Sequence, residues 1–246
     1  MKLTLAEPRY LKDSIAIISD LVTEASIKVT KQELSLIAMD PANVAMVDFK
    51  LLSSAFVEYD LKKDQSLRLN LGNLKQILRR AKPSDVLTLE LVENKLKIKL
   101  KGTTTRTFSL SLIDMEEKEQ RVPPLQFPVT VSAPTTVLND AVEDVESIIA
   151  DSVSFTAEPG VFLIEAETEL SKAVVEIKAD ENTKITAKER CRAKYSLEYL
   201  KKMIPGAKLA ERVTIQFNKD YPLKLDFVEI NKLSLSFILA PRVEND

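Results

Sequence analysis

Two stretches of this chain carry the same apolar spacing twice over, and that repeat limits the fold more than any other feature. Leu11, Ile15, Ile18 and Val22 lie at i, i+4, i+7 and i+11, and Leu138, Val142, Val145 and Ile149 reproduce the spacing. Leu74, Ile77, Leu78 and Ala81 lie at i, i+3, i+4 and i+7. Leu200, Met203, Ile204 and Ala207 repeat that set 126 positions later, from 74 to 200. Each set is one apolar stripe along a helix. Alternating, strand-like runs follow: Ser26–Thr30 and Val86–Val92 in the first half, Ser152–Thr156 and Val213–Phe217 in the second. The pattern predicts an α+β protein of two similar domains, each with antiparallel sheets carrying two helices on one face.

Composition narrows the chemistry. With 246 residues, each half is long enough to bury its own core. Histidine is absent, which removes the commonest general base and zinc ligand, so Ser–His–Asp and Cys–His systems are impossible. The only glycines are Gly72, Gly102, Gly160 and Gly206, too far apart for a phosphate-cradling loop. No metal site and no cofactor is expected, and the chain is not expected to be an enzyme. Cys191 has no partner for an internal disulfide, Met1–Tyr10 lacks the composition of a signal peptide, and no apolar run nears the roughly 20 residues of a spanning helix. An intracellular protein without membrane contact is expected, acting in the cytoplasm or nucleoid, or in a nucleus if the source is eukaryotic. The net charge of −2 does not by itself point to nucleic acid, so the placement of charge matters more than its sum.

The expected organisation is a first domain over residues 1–115, a connector over 116–128 and a second domain over 129–246. Met115–Pro128 is charged and then proline-rich, with neither helical nor strand periodicity, as an extended linker would be. Within the first domain, Lys95–Lys101 alternates strictly, with Leu96, Ile98 and Leu100 on one side and four lysines on the other. Arg106–Asp114 alternates again through Phe108, Leu110 and Leu112. A short polar tail, Pro241–Asp246, is expected to be mobile.

These features, together with Leu21-Val22-Thr23-Glu24-Ala25, Ala38-Met39-Asp40-Pro41, Tyr195-Ser196-Leu197-Glu198-Tyr199-Leu200, Pro222-Leu223 and the closing Leu239-Ala240-Pro241-Arg242-Val243-Glu244, resemble the DNA sliding clamps of the proliferating cell nuclear antigen family, archaeal members most of all. The resemblance spans essentially the whole chain. It implies a DNA clamp fold and a ring-forming trimer around duplex DNA, with helices lining the hole and sheets forming the wall and the subunit joints. It also implies partners: double-stranded DNA without sequence preference, further copies or related subunits, a clamp-loading ATPase, and a DNA polymerase, flap endonuclease and ligase held through short docking motifs. By position, Arg106–Asp114 of one subunit would pair with Ser171–Ala179 of the next, so that Phe108, Leu110, Leu112, Val174, Glu176 and Lys178 would belong to the subunit interface.

Three constellations take meaning from that resemblance. Lys75, Arg79, Arg80 and Lys82 in one half, and Lys201, Lys202 and Lys208 in the other, would on charge alone be solvated helix faces. The resemblance turns them toward phosphates, joined by Lys12 of the first helix, although Asp13 stands where animal members are usually basic. Asn139–Glu146 departs from the family: Asp140, Glu143, Asp144 and Glu146 appear with no basic residue. The simplest account is a solvated acidic face near a helix N-terminus, the alternative a metal-binding pair of Asp140 and Asp144 in an enzyme. This departure also motivates an alternative reading, one subunit of a heterotrimeric clamp. Met39, Val44, Met46, Val122, Pro123, Leu125, Phe127, Pro222, Ile238, Leu239, Ala240 and Pro241 match the family's client pocket, with Met46 and Leu239 also suited to core. The Lys95–Lys101 lysines are expected to be an outer, aggregation-resistant face.

Overall fold

The computed structural model describes residues 1–116 and 120–243. Residues 117–119 of the expected connector and Glu244 to Asp246 of the expected tail lie outside the described residues. The chain divides into two units: 1–41, 47–122 and 229–235 form the first, and 42–46, 123–228 and 236–246 the second. The division falls inside the connector. It also assigns two short segments to the opposite unit, which a simple cut of the sequence does not anticipate.

The first half opens with β1 (Lys2–Leu5), α1 (Arg9–Ile18), β2 (Glu24–Val29), β3 (Glu33–Met39) and β4 (Ala45–Leu52). It continues through β5 (Glu58–Asp60), β6 (Gln65–Asn70), α2 (Leu71–Leu78), β7 (Val86–Val92), β8 (Lys95–Lys101) and β9 (Thr105–Ser111). The second half repeats the series with β10 (Val129–Pro134), α3 (Thr135–Glu146), β11 (Ser152–Glu158), β12 (Val161–Glu167) and β13 (Lys172–Lys178). It ends with β14 (Lys184–Thr186), β15 (Cys191–Ser196), α4 (Leu197–Met203), β16 (Arg212–Phe217), β17 (Leu223–Glu229) and β18 (Leu233–Leu239). Strand order repeats as well. The run β5-β1-β7-β8-β9 has its counterpart in β14-β10-β16-β17-β18, and β4-β3-β2-β6 in β13-β12-β11-β15. The pairs within these runs whose registers are established are antiparallel.

Alternation explains which side of each strand is covered. In β8, Leu96, Ile98 and Leu100 are buried while Lys95, Lys99 and Lys101 are exposed. In the second unit, Phe155 packs edge-on against Phe162, Tyr195 and Phe217, with centroids 5.3, 5.7 and 6.1 Å away. Such aromatic pairs add directional preference to the hydrophobic term.

The helices end earlier than their stripes. Ile149 does not extend the α3 face: the helix stops at Glu146, and Ile149 sits at φ 54 with 90% of its surface exposed. α2 stops at Leu78, leaving Arg79, Arg80 and Lys82 beyond it, although Ala81 remains buried. α4 gives way to a tighter 3₁₀ turn over Ile204–Lys208, where Pro205 lacks the N–H that an α-helix would use.

Candidate functional site

The basic cluster of the first unit begins at α2. Asn70 caps the helix by accepting the Asn73 N–H at 3.0 Å, and Leu71, Leu74 and Leu78 bury one stripe. Lys75 leaves that stripe and meets Asp20 Oδ1 at 2.6 Å. Lys12 of α1 donates to the Ala81 carbonyl at 2.8 Å, placing its charge at the C-terminal end of α2, where a cation complements the macrodipole. Arg79, Arg80 and Lys82 are exposed. Their loop is fastened from behind: Arg106 donates to the Arg80 carbonyl at 2.8 Å, and Asp85 accepts the Lys82 N–H at 2.7 Å.

The second unit repeats part of this arrangement, with an acidic addition. α3 starts at Thr135, so Asp140, Glu143, Asp144 and Glu146 occupy its middle and last turns rather than its N-terminal region. The helix dipole opposes the last two, correcting the N-terminal explanation for them. Glu146 is instead ion-paired with Lys201 of α4. This pair is the repeat counterpart of Asp20–Lys75, since both partners are displaced by 126 positions (20 to 146, 75 to 201). Lys202 bonds Glu198 at 2.7 Å and lies 5.2 Å from the Tyr199 ring centroid, while Lys208 is exposed at the end of the 3₁₀ turn. Among the described residues, no group of three or more Asp, Glu, Cys or His could hold a metal ion. Asp140 and Asp144 are both exposed.

The apolar set divides by depth. Leu239 is fully buried, and Met46 and Ile238 nearly so; these belong to the core beneath the surface. Val44, Leu125, Phe127, Pro222, Ala240 and Pro241 are half-buried, and Val122 and Pro123 exposed. In the second unit, Tyr221 joins several of them. Phe127 meets its ring edge-on at 5.8 Å, and the Gln126 N–H reaches its hydroxyl in a long bond of 3.5 Å. Buried Tyr195 donates its hydroxyl to the Tyr221 carbonyl at 2.9 Å. Burial pushes the Tyr195 phenol far above its usual pKa, so it remains a donor. The Ala240 N–H bonds the Val44 carbonyl at 2.9 Å. Met39, in the first unit, lines a separate cleft of about 210 Å³ with Glu24, Ser26, Lys28, Ile37 and Met115.

Sequence reasoning did not single out Tyr195 or Tyr221 for this surface, nor that cleft. The tyrosines carried a signal, because a buried tyrosine needs a partner for its hydroxyl. The tail is also better anchored than expected as far as Arg242, whose N–H donates to the Lys194 carbonyl at 2.7 Å.

Two strands end their runs. β9 presents half-buried Phe108 and Leu110, with Leu112 just beyond, and is bonded to β8. β13 is bonded to β12 and turns outward Val174, half of whose surface is exposed, with Glu176 and Lys178, which pair at 3.2 Å. No helix of the described residues is long and apolar enough to cross a membrane.

Comparison with known proteins matches the chain to one family. The model for the N-terminal domain of proliferating cell nuclear antigen matches residues 1–120, and that for its C-terminal domain residues 121–243. The DNA polymerase sliding clamp of Pyrococcus furiosus is 37% identical over 229 residues, covering 92% of each chain. That of Nanoarchaeum equitans is 34% identical over 248 residues, covering 98% of this chain and 99% of its own. Among solved structures, proliferating cell nuclear antigen from Thermococcus kodakaraensis superposes with a TM-score of 0.91 at 26% identity, covering 98% and 99% of the two chains. A chain of the PCNA2–PCNA3 complex from Sulfolobus tokodaii gives 0.90 at 25% identity, covering 99% and 100%.

Proposed function

Because this chain belongs to the proliferating cell nuclear antigen family of DNA sliding clamps, we propose that it closes into a three-subunit ring holding duplex DNA without reading its sequence. A sliding clamp is a processivity factor for DNA replication and not an enzyme, and this chain is one.

Strand pairing is the observation that carries the assembly. Around β4 and β18, Leu52 donates to the Lys232 carbonyl within the first unit, and Ala240 donates to the Val44 carbonyl within the second. The last strand of one repeat thus runs beside the fourth-position strand of the other. Their repeat counterparts, β9 and β13, end their runs and supply the same two edges for pairing between subunits. A head-to-tail contact of this kind closes into a ring when its rotation permits.

In such a ring, Lys75, Arg79, Arg80, Lys82, Lys201, Lys202 and Lys208 attract phosphates, with Lys12 contributing from the end of α2. Attraction of this type is independent of sequence and weakens with salt. The half-buried surface around Phe127, Tyr221, Pro222 and Ala240 receives the docking turn of a polymerase, flap endonuclease or ligase. A clamp-loading ATPase opens the ring, and the protein acts on DNA inside the cell.

The test is retention on DNA of different topology. A ring loaded on closed circular DNA stays bound after a single nick and is lost after linearisation. Retention on the linear form at high salt would contradict topological holding.

A second reading, one subunit of a mixed ring, is favoured by the acidic α3 and by the likeness to a chain of a two-subunit-type complex. A stable trimer of the purified chain alone supports the single-subunit ring, and a monomer supports the mixed one.

A further inference from the structure

We infer that a basic pocket beside the docking surface receives acidic side chains flanking the client's docking turn, a reading that rests on the docking proposal above. The pocket has a volume of about 280 Å³ in the second unit and is lined by Arg192, Lys194, Lys219 and Arg242, with Asp220 the one carboxylate among its described lining residues. In a chain of net charge −2, four cations around one acid form a local field opposite in sign to the whole. Arg192 and Lys194 alternate on β15 and therefore share a face. Arg192 is held by a 3.1 Å bond to buried Ser154, and the backbone of Arg242 is tied to that of Lys194 at 2.7 Å. Glu198 also lies within the field of Arg242, but its nearer partner is Lys202 at 2.7 Å.

Position identifies the occupant. Arg242 directly follows Ala240 and Pro241, Asp220 directly precedes Tyr221 and Pro222, and Lys194 precedes Tyr195, whose hydroxyl holds the Tyr221 carbonyl. The pocket is thus continuous along the chain with the apolar docking surface. Its concave volume suits a side chain or two, whereas a duplex presents a convex row of phosphates. Carboxylates reaching from a docked peptide would meet guanidinium groups suited to bidentate bonds.

The test uses fluorescence anisotropy on the full chain with synthetic peptides that share one docking turn: a glutamine, an aliphatic residue and two aromatics. They differ in carrying neutral, glutamate or lysine residues at either end. A glutamate flank is expected to tighten binding about tenfold over the neutral peptide at low salt, and the gain to shrink at about 0.5 M salt. Arg192→Gln combined with Lys219→Gln removes the gain while leaving neutral-peptide affinity unchanged, and Arg192→Lys with Lys219→Arg retains part of it. Equal affinity for acidic and neutral peptides overturns this inference alone. Failure of every peptide to bind defeats the docking reading beneath it as well. Loss of duplex binding in the glutamine variant, with the peptide gain intact, would reassign the pocket to phosphates.

Discussion

Asp85 has 1% of its surface in contact with water, and its neighbours decide what that burial does. Its carboxylate accepts the Lys82 N–H at 2.7 Å and an Arg106 N–H at 2.5 Å, while Gly102 packs against the other oxygen with no room for a Cβ. The Lys82 N–H is the largest influence holding the carboxyl below its usual range; burial pushes the other way, and Arg106 adds to the lowering. A depressed carboxylate contributes its stability in full above the unfolded value of about 3.9 and loses it as pH falls through the lower folded value. Asp85→Asn should therefore lower the urea midpoint at neutral pH and flatten its decline below about pH 4. Identical acid limbs in the two proteins would show that Asp85 does not carry this dependence. The proposed phosphate contact is tied to the same bonds, because they fasten the loop bearing Arg79, Arg80 and Lys82. None of this was legible locally: Asp85 reads as a turn residue after Pro83, and Arg106 arrives from a different strand. Gly206 is similar, for a Cβ there would lie 2.5 Å from the Phe227 ring, a meeting that no short-range pattern announces.

At the scale of elements, the four helices were legible because each carries a stripe of period 3.6, but their ends were not. Periodicity continues through residues that happen to be apolar, and Ile149 satisfied the count while standing in solvent. Charge pairing between distant segments was equally invisible, since Asp20, just beyond α1, and Lys75 of α2 are separated by 55 residues. Their pairing, repeated by Glu146 and Lys201, places an acid beside a lysine assigned to phosphate contact. The side chains of both pairs are substantially exposed, with Lys75 at 28% and the other three above 40%. Such pairs are worth about 0–1 kcal/mol and exchange readily for another anion. The two acids would compete with phosphate and loosen the hold on DNA. Replacing Asp20 with Asn and Glu146 with Gln should raise duplex affinity and steepen its salt dependence, by up to about 0.9 in slope per additional phosphate contact. Replacing Lys201 with Gln should flatten the slope by a similar amount. If both substitutions leave it unchanged, these lysines do not reach the duplex.

For the whole molecule, duplication made the architecture legible: a pattern that occurs twice is a stronger signal than either copy. The family resemblance then supplied what periodicity could not, namely a proposed purpose for the strand edges and for the apolar surface. What stayed hidden depended on contacts distant in sequence, such as the segments 42–46 and 229–235 that join the opposite unit, or the tyrosine that gathers Phe127 and Gln126. The proposed ring would depend on β9 and β13 acting as complementary edges. Val174 offers the sharpest trial because, with half its surface already exposed, a charge there costs the isolated subunit little. Placed in a subunit joint, the same charge would be desolvated without a partner. The unaltered chain should give a solution mass of about 83 kDa, three times 27.6 kDa, and Val174→Asp should shift it toward the single-chain value. Adding Leu110→Asp on β9 should complete the shift, with circular dichroism confirming that each subunit remains folded. A trimer that survives both substitutions would place the joint elsewhere. If the unaltered chain is itself a monomer, the two edges must await unlike subunits, and the acidic α3 becomes the mark of one position in a mixed ring.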